Sequence, residues 1–192
     1  MRKRAEQVEE TRQRIIDAAV RLHTTVGPAN TTISSLAEQA GVTRLTVYRH
    51  FPDEETLFHA CSQQWEGQHP APDPATWRDI PDVEARTHQA LRELYGWYRD
   101  NGEELLPLYR DIAAMPASIR QAMREESQRF ADALVTGSGA RGHARRRLQA
   151  AAGHVTSFWT WHSLTVEQDL DHTEAADLAT RLVVEAMRAK GH

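Results

Sequence analysis

The stretch from Thr31 to His50, TTISSLAEQAGVTRLTVYRH, gathers the side chains best suited to touching another molecule. Arg44 and Arg49 carry planar forks of donors that match guanine O6 and N7. Leu45 and the methyl of Thr46 suit the C5-methyl of thymine. The hydroxyls of Thr43 and Tyr48 and the imidazole of His50 suit phosphate oxygens, and Thr32 is grouped with them. Phosphate contacts set register and base contacts set sequence, so these eight residues together have the chemistry of a DNA reader. The chain's ten histidines raise metal and catalytic chemistry as well. His154 and His162 stand eight apart and share a helix face, but they lack i, i+4 spacing and an acidic third ligand. There is no Gly-rich phosphate loop, no nucleophile elbow and no Cys and His in a recognisable frame. No metal, no cofactor and no catalytic residue is therefore expected, and the chain reads as a protein other than an enzyme.

Short helices must carry the reading residues. Thr32 starts the first, because its hydroxyl can accept from the free amides of the opening turn, and Ile33, Leu36, Ala37 and Ala40 follow at helical spacing. Gly41 ends it by taking a left-handed conformation. Val42 is a core anchor and Thr43 caps a second helix through His50. Val47 and Phe51 can pack with Val42 and Leu36, which leaves Arg44, Leu45, Tyr48 and Arg49 outward. Two helices joined by a short turn containing Gly form a helix-turn-helix, whose second helix enters the major groove with its N-terminal residues at base edges.

The N-terminal region resembles the tetracycline-repressor (TetR) family. The resemblance rests on Ile15, Ala18, Ala19, Leu22, Gly27, Thr31, Thr32, Leu36, Ala37, Ala40, Gly41, Val42, Thr46, Tyr48, His50, Phe51, Glu55 and Leu57 in that order, about the first third of the chain. It implies a dimeric transcriptional repressor that releases DNA when a small molecule binds its C-terminal domain. Three residues depart from the pattern. Glu54 stands where the family commonly has a phosphate-touching lysine, Leu45 where a small residue or proline is frequent, and His23 where an aromatic is usual.

Charge is unevenly placed. Residues 1 to 51 hold eight Lys or Arg against five Asp or Glu, a balance of +3, whereas residues 52 to 192 hold fifteen against twenty-two, a balance of −7. A basic head on an acidic body favours local DNA contact over general adhesion. The basic start, Met1 to Arg4, reads either as an arm toward DNA or as a solubilising end. The Arg145, Arg146, Arg147 cluster reads as a solvated helix start. Cys61 is the single cysteine, which excludes an internal disulfide, and it falls among Leu57, Phe58 and Trp65 as core. No apolar run approaches the ~20 residues of a membrane span, and no signal-peptide core begins the chain, so a cytoplasmic protein is expected.

Beyond Phe51 a connecting helix opens with Asp53, Glu54 and Glu55 and runs to about Trp65. Pro70, Pro72, Pro74 and Pro81 then break regular structure. Only helical periodicity follows: one helix from Asp82 ended by Asn101-Gly102, a short one to Pro116, another to Gly137, a long one from about His143 to Gln168, and a last one capped by Thr173. The expected fold is all-α. It has a three-helix DNA-binding domain at 1–51, a connecting helix at 52–66 and a helical ligand-binding and dimerisation domain at 67–192. Trp97, Tyr109, Met123, Phe130, Phe158, Trp161 and His162 are the candidates for a pocket for a small apolar or aromatic effector, against the plainer reading that they fill a core. Ala150, Gly153, Ser157, Leu164, Leu178, Leu182 and Val183 are the candidates for an isologous four-helix homodimer contact, against a monomer core that uses the same faces. The function expected is a ligand-released, operator-binding homodimeric repressor. An activator, a helix-turn-helix protein-interaction module and a small-molecule-processing enzyme are the alternatives.

Overall fold

A computed structural model describes residues 2–188. Among these the chain is helical throughout, without a strand. It divides into two compact units, each discontinuous in sequence: residues 1–70 with 101–122, and residues 71–100 with 123–192.

In the first unit, α1 (Arg2–Thr25), α2 (Ile33–Ala40), α3 (Arg44–His50) and α4 (Glu54–Gln68) close around one core. Ile15, Ala18 and Ala19 of α1 meet Leu36, Ala37 and Ala40 of α2, with Val47, Phe51, Leu57 and Cys61 completing the cluster. Burial of each large apolar side chain in such a cluster contributes about 1.5–3 kcal/mol. A polar seam adds direction: Gln64 Nε2 donates to Asp17 Oδ1 at 2.9 Å, and Gln13 Nε2 donates to both Asp17 Oδ1 and Gln64 Oε1, at 2.8 and 2.5 Å. Lys3 and Arg4 lie within α1.

The same unit holds the end of α6 (Val83–Arg110) and the turn after it. The Arg110 guanidinium donates to Val26 O at 2.9 Å, and Asp111 Oδ2 accepts from Ala29 N at 3.1 Å. Gly27 lies between them at φ 94, where a Cβ would run into the Asp111 carboxylate and the Arg110 guanidinium. Glycine is required here for its conformation and for its lack of a side chain. Trp65 Nε1 donates to Glu104 Oε2 at 2.6 Å.

The second unit contains α5 (Pro74–Arg78), residues 83–100 of α6, most of α7 (Ala117–Val135), α8 (Gly142–Val155), α9 (Phe158–His162) with a π turn at Ser163–Glu167, and α10 (His172–Arg188). Trp77, Leu91, Leu94, Leu134, Leu148, Val155 and Val183 are buried. Arg86 is buried too, with its guanidinium donating to the carbonyls of Ile80, Pro81, Leu134 and Thr136. Five carbonyl-seeking N–H groups on one side chain make it a cap for the end of α7.

Four elements differ from the sequence expectation. The proline-rich crossing contains α5, because Asp73 accepts from Ala75 N at 2.9 Å and Pro74 occupies the first turn, while Trp77 anchors the helix in the core. Asn101-Gly102 does not end α6. Its apolar stripe continues through Leu94, Tyr98 and Leu105, all buried, and that burial outweighs the ~1 kcal/mol cost of a helical glycine. The long helix expected from His143 to Gln168 breaks at Ser157, whose extended backbone and hydroxyl start a new helix at Phe158. The last helix is capped by Asp171, whose Oδ1 accepts from Thr173 N and Glu174 N at 2.8 Å each, and Thr173 lies inside it.

Candidate DNA interface

Both helices of the helix-turn-helix start on the threonines expected. Thr32 Oγ1 accepts from Ser35 N at 3.0 Å while Ser35 Oγ accepts from Thr32 N at 3.0 Å, a reciprocal capping box. Gly41 takes φ 64 and closes α2. Thr43 Oγ1 accepts from Thr46 N at 3.2 Å and lies 2.9 Å from Thr46 Oγ1. Substituting such a cap by alanine costs about 1 kcal/mol.

With its ends fixed, α3 sorts by face. Val47 is fully buried and Phe51 nearly so, whereas Arg44, Leu45, Tyr48 and Arg49 are exposed, Leu45 at 79% and Tyr48 at 47%. No hydrogen bond or ion pair holds the Arg44 guanidinium among the described residues. Thr46 is half-buried with its hydroxyl against Thr43, so the structure places it at the cap more than at the surface. His50 is half-buried at the end of α3, and burial, then Arg49 and Arg12, lowers its pKa. A neutral imidazole there can still donate one hydrogen bond. Arg12 of α1 spreads its guanidinium over the Phe51 ring at 5.2 Å, a contact that no sequence pattern marks. Asp53 caps α4 by accepting from Thr56 N at 2.7 Å, and Glu54 is exposed beside it.

The effector candidates fall into separate places. Tyr109 belongs to the first unit and the other six to the second. Phe130 is buried against Trp77, ring centroids 5.6 Å apart. Phe158, Trp161 and His162 form one aromatic group, with Phe158 5.3 Å from Trp161 and 5.9 Å from His162. Tyr98, outside the candidates legible from sequence, joins it at 5.4 Å from Phe158 and links it to Trp97. Tyr98 and Tyr95 donate their hydroxyl protons to the Thr156 and Val155 carbonyls at 2.9 and 2.8 Å. The Trp161 indole N–H points to His172 Nδ1 at 3.2 Å over a stacked ring. His162 Nδ1 is buried without a hydrogen bond, 3.7 Å from Glu167 Oε1. Met123 is half-buried on α7. Phe158 and Trp161 are almost completely buried, and His162 and His172 stand half-buried at the edge of the group.

The dimerisation candidates also divide. Ala150 and Gly153 on α8 and Leu178 and Leu182 on α10 are exposed, Ser157 and Leu164 are half-buried, and Val183 is fully buried within the protomer. Cys61 is buried, and burial pushes its thiol up to about 12. No cluster of three metal-binding side chains occurs among the described residues, and none of their helices is long and apolar enough to cross a membrane.

An all-helical chain with an N-terminal helix-turn-helix and a second helical unit is the class this architecture defines. Residues 15–61 match the family model described as bacterial regulatory proteins, tetR family. Over 65 residues the chain is 43% identical to the HTH-type transcriptional regulator AcrR of Shigella flexneri, covering 34% of this chain and 29% of that protein. The match thus spans less than a third of that relative's length. Among solved structures, a TetR-like transcriptional regulator from Rhodococcus sp. RHA1 superposes with a TM-score of 0.59 at 19% identity, covering 94% of this chain and 97% of that one. The multidrug binding protein EbrR complexed with imidazole superposes with a TM-score of 0.58 at 21% identity, covering 94% and 92%. Residues 15–61 thus resemble the DNA-binding domain of the tetR family, and the fold of the chain is of the same all-helical kind as these solved structures.

Proposed function

We propose that this protein is a ligand-responsive transcriptional repressor that binds a near-palindromic operator as a homodimer in the cytoplasm. One observation carries the reading: α3 exposes Arg44, Leu45, Tyr48 and Arg49 together on a helix whose caps and core are already complete without them. Arg44 and Leu45, at its N-terminal end, meet base edges, while Thr43, Tyr48 and His50 meet phosphates. Thr32, Thr46 and Arg49 flank them. The exposed leucines of α10 and the small residues of α8 support a self-complementary face, and two reading heads related by a two-fold axis need a two-fold site. A small, largely apolar effector in the second unit is supported by the drug-binding description of EbrR, a protein of the same fold. Such an effector releases DNA only if it binds the DNA-incompetent shape more tightly.

Selection of bound sequences from a random DNA pool tests this, at near-physiological and at raised salt, because purely electrostatic binding falls steeply with salt. A near-palindrome enriched at both supports the reading, and Arg44→Ala should then relax preference at one position of each half-site. Absence of any enriched sequence would overturn it.

A further inference from the structure

Leu45 is the most exposed large apolar side chain among the described residues, at 79% against 58% for Val166. The core does not account for it, since Val47 supplies the buried side of α3. Its neighbours on the outward face are Arg44, Tyr48 and Arg49. Leu45 and Tyr48 together are far smaller than the ~1,000 Å² that a stable protein contact requires, and the two arginines bracket them with charge. A partner that satisfies this face is therefore highly charged, with a small isolated apolar group in its middle. The major groove offers one: the methyl at C5 of a pyrimidine.

We propose that Leu45 is a specificity-determining residue that reads a pyrimidine C5-methyl group. Thymine is then the preferred base beneath it and 5-methylcytosine is its equal there. This rests on the DNA-reading role of α3 proposed above. A leucine side chain has no donor or acceptor, so it cannot separate the O4 acceptor of thymine from the N4 donor of cytosine by hydrogen bonding. What it meets is volume and apolar surface at C5, which thymine and 5-methylcytosine share and which uracil and cytosine lack. Thr46, the other apolar reader expected from sequence, is half-buried with its hydroxyl 2.9 Å from that of Thr43, which leaves Leu45 as the methyl contact. The consequence is regulatory: where the operator holds cytosine at this position, methylation of that cytosine at C5 strengthens binding.

The test uses the operator recovered by selection and the full-length protein. Each thymine is replaced in turn by uracil, and the sensitive position is then rebuilt with cytosine and with 5-methylcytosine, each paired with guanine. The expected result is one position in each half-site where thymine and 5-methylcytosine bind alike and uracil and cytosine bind about three- to fivefold more weakly. Leu45→Ala should bind all four within twofold there, and Leu45→Met should keep most of the preference. Unchanged affinity of both variants for unrelated DNA shows that they remain folded. The proposal is overturned alone if every thymine of a recovered operator tolerates uracil, if cytosine methylation has no effect at the sensitive position, or if the uracil penalty persists in Leu45→Ala. A selection that recovers no operator overturns the DNA-reading role as well.

Discussion

Acidification should loosen the helix-turn-helix core through a single residue. His23 of α1 is only 5% exposed and stacks on Phe58 of α4, ring centroids 4.4 Å apart and planes 18° from parallel. Burial holds its pKa down from 6.5 to about 4. The unfolded chain therefore takes up this proton at a higher pH than the folded one does. The stability linked to a neutral His23 is fully present above pH 6.5 and is lost as the pH falls toward 4, a total of about 3 kcal/mol at 1.36 kcal/mol per pH unit. At pH 4.5 about 2–3 kcal/mol of it should be gone. Urea unfolding of wild type and His23→Phe at pH 7.5 and pH 4.5, followed by far-ultraviolet circular dichroism, isolates this share. Phenylalanine keeps the stack on Phe58, and carboxylate titrations affect both proteins alike. Wild type should lose more stability than His23→Phe by that amount. Equal losses in the two would refute the reasoning.

Gly27→Ala should cost about 1–3 kcal/mol, because φ 94 and the closeness of Asp111 and Arg110 both oppose a side chain. An unchanged melting temperature would contradict it. Cys61, buried with its thiol pushed up to about 12, should react with a thiol reagent only as the protein unfolds. Rapid native modification would show that the packing around it opens. Leu178→Arg with Leu182→Arg, both exposed in the protomer, should convert a dimer to monomer in sedimentation without lowering helix content, and a dimer that persists would place the contact elsewhere.

The parts of the fold legible in sequence were those with local causes. Thr32, Gly41 and Thr43 each act on backbone groups within four residues, and Leu36, Val47 and Phe51 follow a simple helical period, so the caps, the turn and the core of the first unit could be read directly. Signals that work in two ways misled. Pro74 reads as a breaker, yet after Asp73 it begins a helix, and Gly102 reads as a stop, yet buried neighbours carry α6 through it. Which distant segments share a unit left no periodic trace. The link of Arg110 and Asp111 to Val26 and Ala29 joins positions more than eighty residues apart through charge and backbone groups, and no pattern of hydrophobicity marks it. Aromatic type marks a residue but not its neighbours: Tyr98 packs against Phe158, whereas Tyr109 belongs to the first unit.

The outward face of α3 also bears on how this protein can change over generations. Since Arg44, Leu45, Tyr48 and Arg49 are exposed while the core and caps hold the helix without them, replacements at these positions leave folding almost untouched. With the DNA-reading role proposed for this face, a lineage can then explore new recognition sites by single steps, each judged by its target alone, while the scaffold beneath is inherited unaltered.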